Sequence, residues 1–215
     1  TGHQTKTMTN NQHTSLADFI WKNADDLWGN FKHVDFGKII LPFTLLRRLE
    51  CVLEPTRDKV RSQYESMKAS GVDMDLILPT TAGATFYNVS QFSLASVGST
   101  STRANLEDYV AKFSANARQV FEHFAFSDWL VQLDKANLLY LVTQKFASID
   151  LHPETISNHE MGLVFEHLIR KFAELSNETA GEHYTPREVI DLMVELLLHG
   201  RTHAELTENP KPVRT

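Results

Sequence analysis

The hydrophobic positions of this chain recur mostly at intervals of three and four residues, which is the spacing of amphipathic helices. The longest such stretch runs from Phe36 to Leu53, and Pro55 ends it. Other helical stretches follow polar residues whose side chains accept hydrogen bonds from the first free amides of a helix. These predicted caps are Ser15, Thr56, Ser127 and Ser157. The pattern predicts a mainly α protein, built as a helical bundle.

The region from residue 70 to residue 104 differs, because it is rich in Gly, Ser and Thr and holds only short apolar pieces. Asp73 to Leu78 is predicted as a helical turn. Thr85 to Ser90 has the composition of a strand, so the fold is expected to contain at most a small β-hairpin. Helical spacing returns over 106–124, continues over 127–146 and appears again over 157–172.

Composition fits an ordinary globular protein, with 42% hydrophobic and 22% charged residues among 215. No apolar run reaches the ~18 residues that span a bilayer, and no export leader is recognised, so we expect a cytoplasmic protein. The single cysteine, Cys51, lies in an apolar run and is expected to be a buried, unreactive thiol. Ten histidines are present, but none has the spacing of a metal site, so no metal is expected.

The net charge of −6 argues against strong DNA binding by this chain alone, because an acidic surface repels phosphate. Five cations nevertheless lie close together in sequence and are candidates for a basic, DNA-contacting face. Acidic residues interleave with them, and a solvated helix surface is the interpretation that the sequence by itself favours. The five candidates are Arg47, Arg48, Arg57, Lys59 and Arg61.

A capped helix start is predicted near the end of the chain. Thr185 is placed to accept a hydrogen bond from the amide of Glu188, and Pro186 falls at the first helical position, where it needs no amide. The remaining free amides would suit a small anionic group. Taken alone, this arrangement is a common helix cap.

The residues themselves resemble a known family. Gly181-x-x-Tyr184-Thr185-Pro186-Arg187 resembles the segment before the methyl-donor strand of N6-adenine DNA methyltransferases, most closely in the methylation subunit of type I restriction-modification systems. Three other segments, 19–29, 40–49 and 165–174, resemble parts of that subunit in the same order. The resemblance thus covers nearly the whole chain.

The resemblance implies that the complete subunit transfers a methyl group from S-adenosylmethionine to the N6 amine of adenine in DNA. It also implies several partners: DNA, a specificity subunit, a second methylation subunit and, further, a restriction subunit. The helical part would close over DNA and contact these subunits. The positions that match the donor-contacting segment are Glu182, His183, Tyr184, Thr185, Pro186 and Arg187.

Two motifs of the family do not occur in these 215 residues: the glycine-rich donor loop and the Asn-Pro-Pro-aromatic tetrad that holds the target amine. We therefore expect an N-terminal part, truncated before the α/β methyltransferase sheet, with no catalytic residue of its own and no activity alone. The expected division is a flexible tail (1–14), a helical domain (15–150), helices with the donor-proximal segment (151–199) and a linker (200–215).

Two other functions remain open from the residues alone. One is a non-enzymatic helical module that docks another protein, with the Tyr184-Thr185-Pro186 segment acting only as a helix cap. The other is an independent DNA-binding domain, which the net acidity disfavours. The three tryptophans, Trp21, Trp28 and Trp129, are expected in the core or at subunit contacts.

Overall fold

The computed structural model describes residues 10–176, and within them the side chains of residues 15–174. This part of the chain contains nine α-helices and no strand, so the predicted helical bundle is confirmed. In chain order the helices are α1 (Asn10–Lys22), α2 (Phe36–Leu53), α3 (Arg57–Met67), α4 (Met74–Ala82), α5 (Thr102–Ala111), α6 (Ala115–His123), α7 (Phe126–Lys135), α8 (Leu139–Ala147) and α9 (Asn158–Ser176).

Helix α2 is the centre of the fold. Its bounds are those that the sequence predicted, and 13 of its 18 residues are buried. A helix that is buried on nearly all sides has to be surrounded, and α1, α7, α8 and α9 all pack against it. Pro42 lies inside α2 without ending it, and the hydroxyl of Thr44 donates a hydrogen bond of 2.7 Å to the Ile40 carbonyl.

A continuous series of aromatic contacts joins α2 to the second half of the bundle. The Phe43 ring stacks on Phe146 of α8 with 5.3 Å between ring centroids, and meets Phe126 of α7 edge-on at 5.0 Å. From Phe126 the series continues through Phe121 to Phe113 at centroid distances of 5.6 and 6.0 Å. The stacked and edge-on contacts of Phe43 are favourable geometries for aromatic pairs, and the whole series ties helices that are distant in sequence into one core.

The predicted capping box at the start of α9 is confirmed. The backbone amide of Ser157 donates to a Glu160 carboxylate oxygen at 2.7 Å, and the Glu160 amide donates to the Ser157 hydroxyl at 3.3 Å. This reciprocal pair satisfies two amides that the helix itself leaves without partners.

The caps predicted at Ser15 and Ser127 are wrong, and Thr56 does not form the predicted side-chain bond to α3. Helix α1 begins before Ser15, and α7 begins at Phe126, so both serines lie inside their helices. Thr56 precedes α3 as expected, but its hydroxyl donates instead to the Ala82 carbonyl of α4 at 3.0 Å. The helix expected over 127–146 is two helices, since Asn137 adopts the left-handed conformation (φ 56°) between α7 and α8.

The β-hairpin expected around Thr85 to Ser90 is replaced by a single antiparallel bridge between Asn88 and Phe113. The amide side chain of Asn88 explains why pairing stops there. It donates to the Tyr109 carbonyl at 2.9 Å and accepts from the Ser90 amide at 2.7 Å, so side-chain bonds take the place of a second strand.

Cys51 is buried, as predicted, and burial raises the pKa of its thiol to about 11, which keeps it protonated and unreactive near neutral pH. Among residues 10–176, no helix is both long enough and apolar enough to cross a membrane.

Candidate functional site

The six predicted donor contacts, Glu182 to Arg187, lie outside the described residues, and no geometry is given for them. The described part of the chain does show α9, the helix that precedes this segment, and the contacts that hold it. It also shows all five cations of the predicted DNA-contacting face. These two features define the part of the candidate site whose geometry is known.

The five cations do not share one exposed face. Arg47, Arg48 and Arg57 all donate hydrogen bonds to backbone carbonyls of distant loops. Arg57 on α3, for example, donates to the carbonyls of Gln91 and Phe92 at 3.0 and 2.6 Å. Among the residues with described side chains, Lys59 and Arg61 form no ion pair or hydrogen bond; Lys59 is exposed and Arg61 is half-buried.

Arg48 is completely buried, at 0% exposure. Its Nη1 donates to the carbonyls of Leu151 and Ile156 at 2.6 and 2.9 Å, and its Nη2 donates to the Asn158 side-chain oxygen at 2.7 Å. The buried Nε has no hydrogen-bond partner among the described residues. Loss of hydration lowers the pKa of Arg48 to about 10, although the charge of Glu160 nearby acts in the opposite direction. The group therefore stays charged, and its function in this conformation is to bind the loop before α9.

The neighbouring Arg47 and Glu50 form a second polar connection on α2. Arg47 donates to the Ile149 carbonyl at 2.7 Å and to a Glu50 carboxylate oxygen at 2.8 Å. The other oxygen of Glu50 accepts from the Leu94 amide at 2.8 Å and from the Tyr109 hydroxyl at 3.3 Å. Burial is the main reason why the pKa of Tyr109 is raised well above its usual range, so this hydroxyl remains a donor.

His152, in the loop before α9, lies between the carboxylates of Asp150 and Glu54. Its Nδ1 is 2.7 Å from Asp150, and its Nε2 is in contact with Glu54, just after α2. Both ring nitrogens face acceptors, an arrangement that needs the imidazolium form. Partial burial opposes this charge, but the hydrogen bonds to Asp150 and Glu54 outweigh it and raise the pKa of His152.

The three tryptophans, predicted in the core or at subunit contacts, are all at least partly exposed. Trp28 contacts His33 edge-on with 4.0 Å between ring centroids but remains 49% exposed. Trp21 packs against Phe172 of α9 at 4.7 Å. No group of His, Cys, Asp and Glu suited to a metal ion occurs among the described residues.

Sequence reasoning missed the burial of Arg48, although the sequence contains a signal for it. Leu45 and Val52 lie on the same face of α2 as Arg48, at the helical spacings of three and four residues, and Arg48 therefore falls on an apolar stripe. Arg47, one position earlier, lies on the neighbouring face, which is partly exposed.

Two family models match the chain. The one described as HsdM N-terminal domain matches residues 16–146, and the one described as N-6 DNA Methylase matches residues 156–210. The second match includes the six predicted donor contacts. The comparison with curated proteins and the comparison with solved structures each found no match.

We expect Arg48→Met to lower the free energy of unfolding of the chain by roughly 3 kcal/mol or more. The substitution leaves two buried carbonyls without a donor, and each such loss costs about 1–3 kcal/mol. Urea denaturation followed by circular dichroism measures the difference.

Lys59→Met is the matched control, because it removes a cation from the same predicted face at an exposed position. It should change stability by less than about 0.5 kcal/mol. Equal effects of the two substitutions would contradict the structural role of Arg48.

The bonds of His152 predict a pH-dependent contribution to stability. Because the folded pKa is raised, this contribution is complete below the unfolded pKa of about 6.5 and is lost as pH rises through the folded value. His152→Gln should therefore destabilise the chain more at about pH 6 than at about pH 9, by at most about 1 kcal/mol for such a partly exposed group.

Asp150 determines the low-pH end of the range in which these bonds stabilise the fold. Despite partial burial, its hydrogen bonds with His152 and Thr155 lower the pKa of Asp150, so its contribution is lost as pH falls through that value. The exposed His159 provides the control, His159→Gln. The same pH dependence in both variants would show that the pair of bonds at His152 is not the cause.

Proposed function

The chain belongs to the HsdM family, as the N-terminal part of the methylation subunit of a type I restriction-modification system, and from this premise we propose its function. In the complete subunit, its donor-proximal segment forms one edge of the site for S-adenosylmethionine, and its helices serve DNA clamping and subunit contacts. The observation that carries the proposal is the order of the two family matches, with the N-6 DNA Methylase match covering Glu182 to Arg187.

The proposed donor contacts have a simple chemical basis. S-adenosylmethionine supplies the methyl group and brings a carboxylate at its methionine end. Free amides at the helix start that the sequence predicts after Thr185, with the Thr185 hydroxyl, would be suited to bind such a carboxylate. Tyr184 offers an apolar ring against which the rest of the ligand can pack. The contribution of His183 is part of the same proposal but is the least defined chemically.

Fewer of the five candidate cations are available to contact DNA, because the three arginines on α2 and at the start of α3 form hydrogen bonds within the chain. Arg47, Arg48 and Arg57 already bind backbone carbonyls, which leaves Lys59 and Arg61 as the members of the original set available to phosphate. Contacts with a specificity subunit, a second methylation subunit and a restriction subunit are also part of the proposal, as is a cytoplasmic location. A non-enzymatic docking module is not favoured, because both family matches belong to a DNA methyltransferase subunit.

In the complete subunit, the double substitution Tyr184→Ala, Thr185→Ala should weaken binding of S-adenosylmethionine by at least about tenfold, or about 1.4 kcal/mol. The change removes the apolar contact and the hydroxyl together. Isothermal titration calorimetry measures the affinity directly, without requiring DNA or turnover.

The control for this titration is Tyr140→Ala, Thr80→Ala, which removes the same two side-chain types at exposed positions of α8 and α4. Its affinity should equal that of the unchanged subunit. If the Tyr184, Thr185 variant also binds normally, the segment is only a helix cap and the donor-site proposal is wrong.

The 215 residues alone should transfer no methyl group to DNA, since the tetrad that orients the target amine does not occur in their sequence. Incorporation of labelled methyl into adenine-containing DNA should stay at the level of a protein-free control. The complete subunit with its specificity partner is the positive control, and measurable incorporation by the 215 residues would contradict the expectation.

A further inference from the structure

The loop between the two family matches has the sequence position of a domain linker but not its structure. The matches end at residue 146 and resume at residue 156, and loops between domains are usually exposed and make few contacts. Here Ile149, Leu151 and Ile156 are each at most 2% exposed. The loop therefore contributes three side chains to the hydrophobic core.

The backbone of the same loop is bound by α2. Arg47 donates to the carbonyl of Ile149, and Arg48 donates to those of Leu151 and Ile156, at distances from 2.6 to 2.9 Å. Arg48 reaches past the loop to the Asn158 side chain, in the first turn of α9. Two adjacent residues of the first family match thus hold the loop and the start of the second.

Helix α9 itself packs on the N-terminal helices. The Phe172 ring lies against Trp21 of α1 at a centroid distance of 4.7 Å, and Lys171 forms an ion pair with Asp18. Helix α2 also approaches this ring closely, since a Cβ added at Gly37 would lie 3.2 Å from the ring of Phe172. A side chain at Gly37 would therefore require the Phe172 ring to shift by a few tenths of an ångström.

The buried face of α9 continues this contact along the helix. Met161, Val164 and Leu168 are fully buried, and they follow the spacing of three and four residues that presents one stripe to the core. A helix with such a stripe loses its main source of stability when it separates from its neighbours.

We propose that α1, α2, the loop 148–157 and α9 form one cooperative structural unit. The boundary between the two family matches is then not a flexible hinge between domains. Any movement of the N-terminal helices in the subunit then carries α9 with it. The inference depends on packing and hydrogen bonds within residues 10–176. It does not depend on donor or DNA binding.

Amide hydrogen exchange of the 215-residue chain, followed by mass spectrometry, tests the proposal. In a single unit, Phe172→Leu should accelerate exchange in α9 and in α1 by the same factor, about tenfold, because the amides of both helices exchange through one shared opening. Acceleration confined to α9, with α1 unchanged, would overturn the proposal.

A second variant tests the polar connection without altering the packed face. Asn158→Ala removes an acceptor of Arg48 and should accelerate exchange in α9 and in the C-terminal half of α2 together. Arg170→Met is the control, because Arg170 is exposed on α9 and, within the described part of the chain, pairs with Glu166 one turn earlier. Arg170→Met should leave the exchange rates of α9 and α2 unchanged. The unaltered chain gives a further test. If α9 exchanges rapidly there while α2 is protected, the proposal is also overturned.

Discussion

The charge of Arg48 is removed from water and placed among backbone carbonyls, and much of the fold is arranged around this fact. Burying a guanidinium costs several kcal/mol, which hydrogen bonds to its donors offset. In Arg48 the two terminal nitrogens form such bonds, whereas Nε has no partner among the described residues. The carbonyls of a loop have the converse need, because a buried loop lacks the regular partners that helices provide. Leu151 and Ile156 meet that need through Arg48, so the cation and the buried loop each make the other possible. Removing Arg48 would leave both carbonyls without this donor, and moving the loop away would take two of the three acceptors of Arg48.

Helix α2 also holds a loop through a buried charge at Glu50, but here the charge is negative and the loop group is an amide. The Glu50 carboxylate accepts from the Leu94 amide, so a second loop is held by an anion as the first is held by a cation. The hydrophobic core, with the aromatic contacts around Phe43, supplies stabilisation that does not depend on direction, whereas the hydrogen bonds of these charged groups do depend on direction. Burial of apolar area would tolerate several loop arrangements, whereas hydrogen bonds of defined length select one.

Sequence reasoning succeeded where local rules decide the outcome and was wrong where tertiary contacts do. The bounds of α2 and the Ser157 capping box follow from periodicity and from a short-range hydrogen-bonding pattern. The break at Asn137 needs a left-handed residue, and no glycine indicated it. Thr56 had a suitable position for a cap, but its hydroxyl found a carbonyl of α4 that is remote in sequence. The donor-contact residues Glu182 to Arg187 were assigned through family resemblance, and that assignment remains a prediction.

The positions of the arginines also bear on how a DNA-clamping part of a methylation subunit could work. With a net charge of −6, and with three of the five clustered cations bound to its own carbonyls, this chain has little positive surface from that cluster to attract phosphate. Under the proposed function, most of the electrostatic attraction to DNA therefore has to come from other parts of the assembly. The helical unit would then contribute shape and rigidity. Arginines that hold loops serve that purpose better than arginines that reach into solvent, because a rigid clamp loses less conformational entropy when it closes.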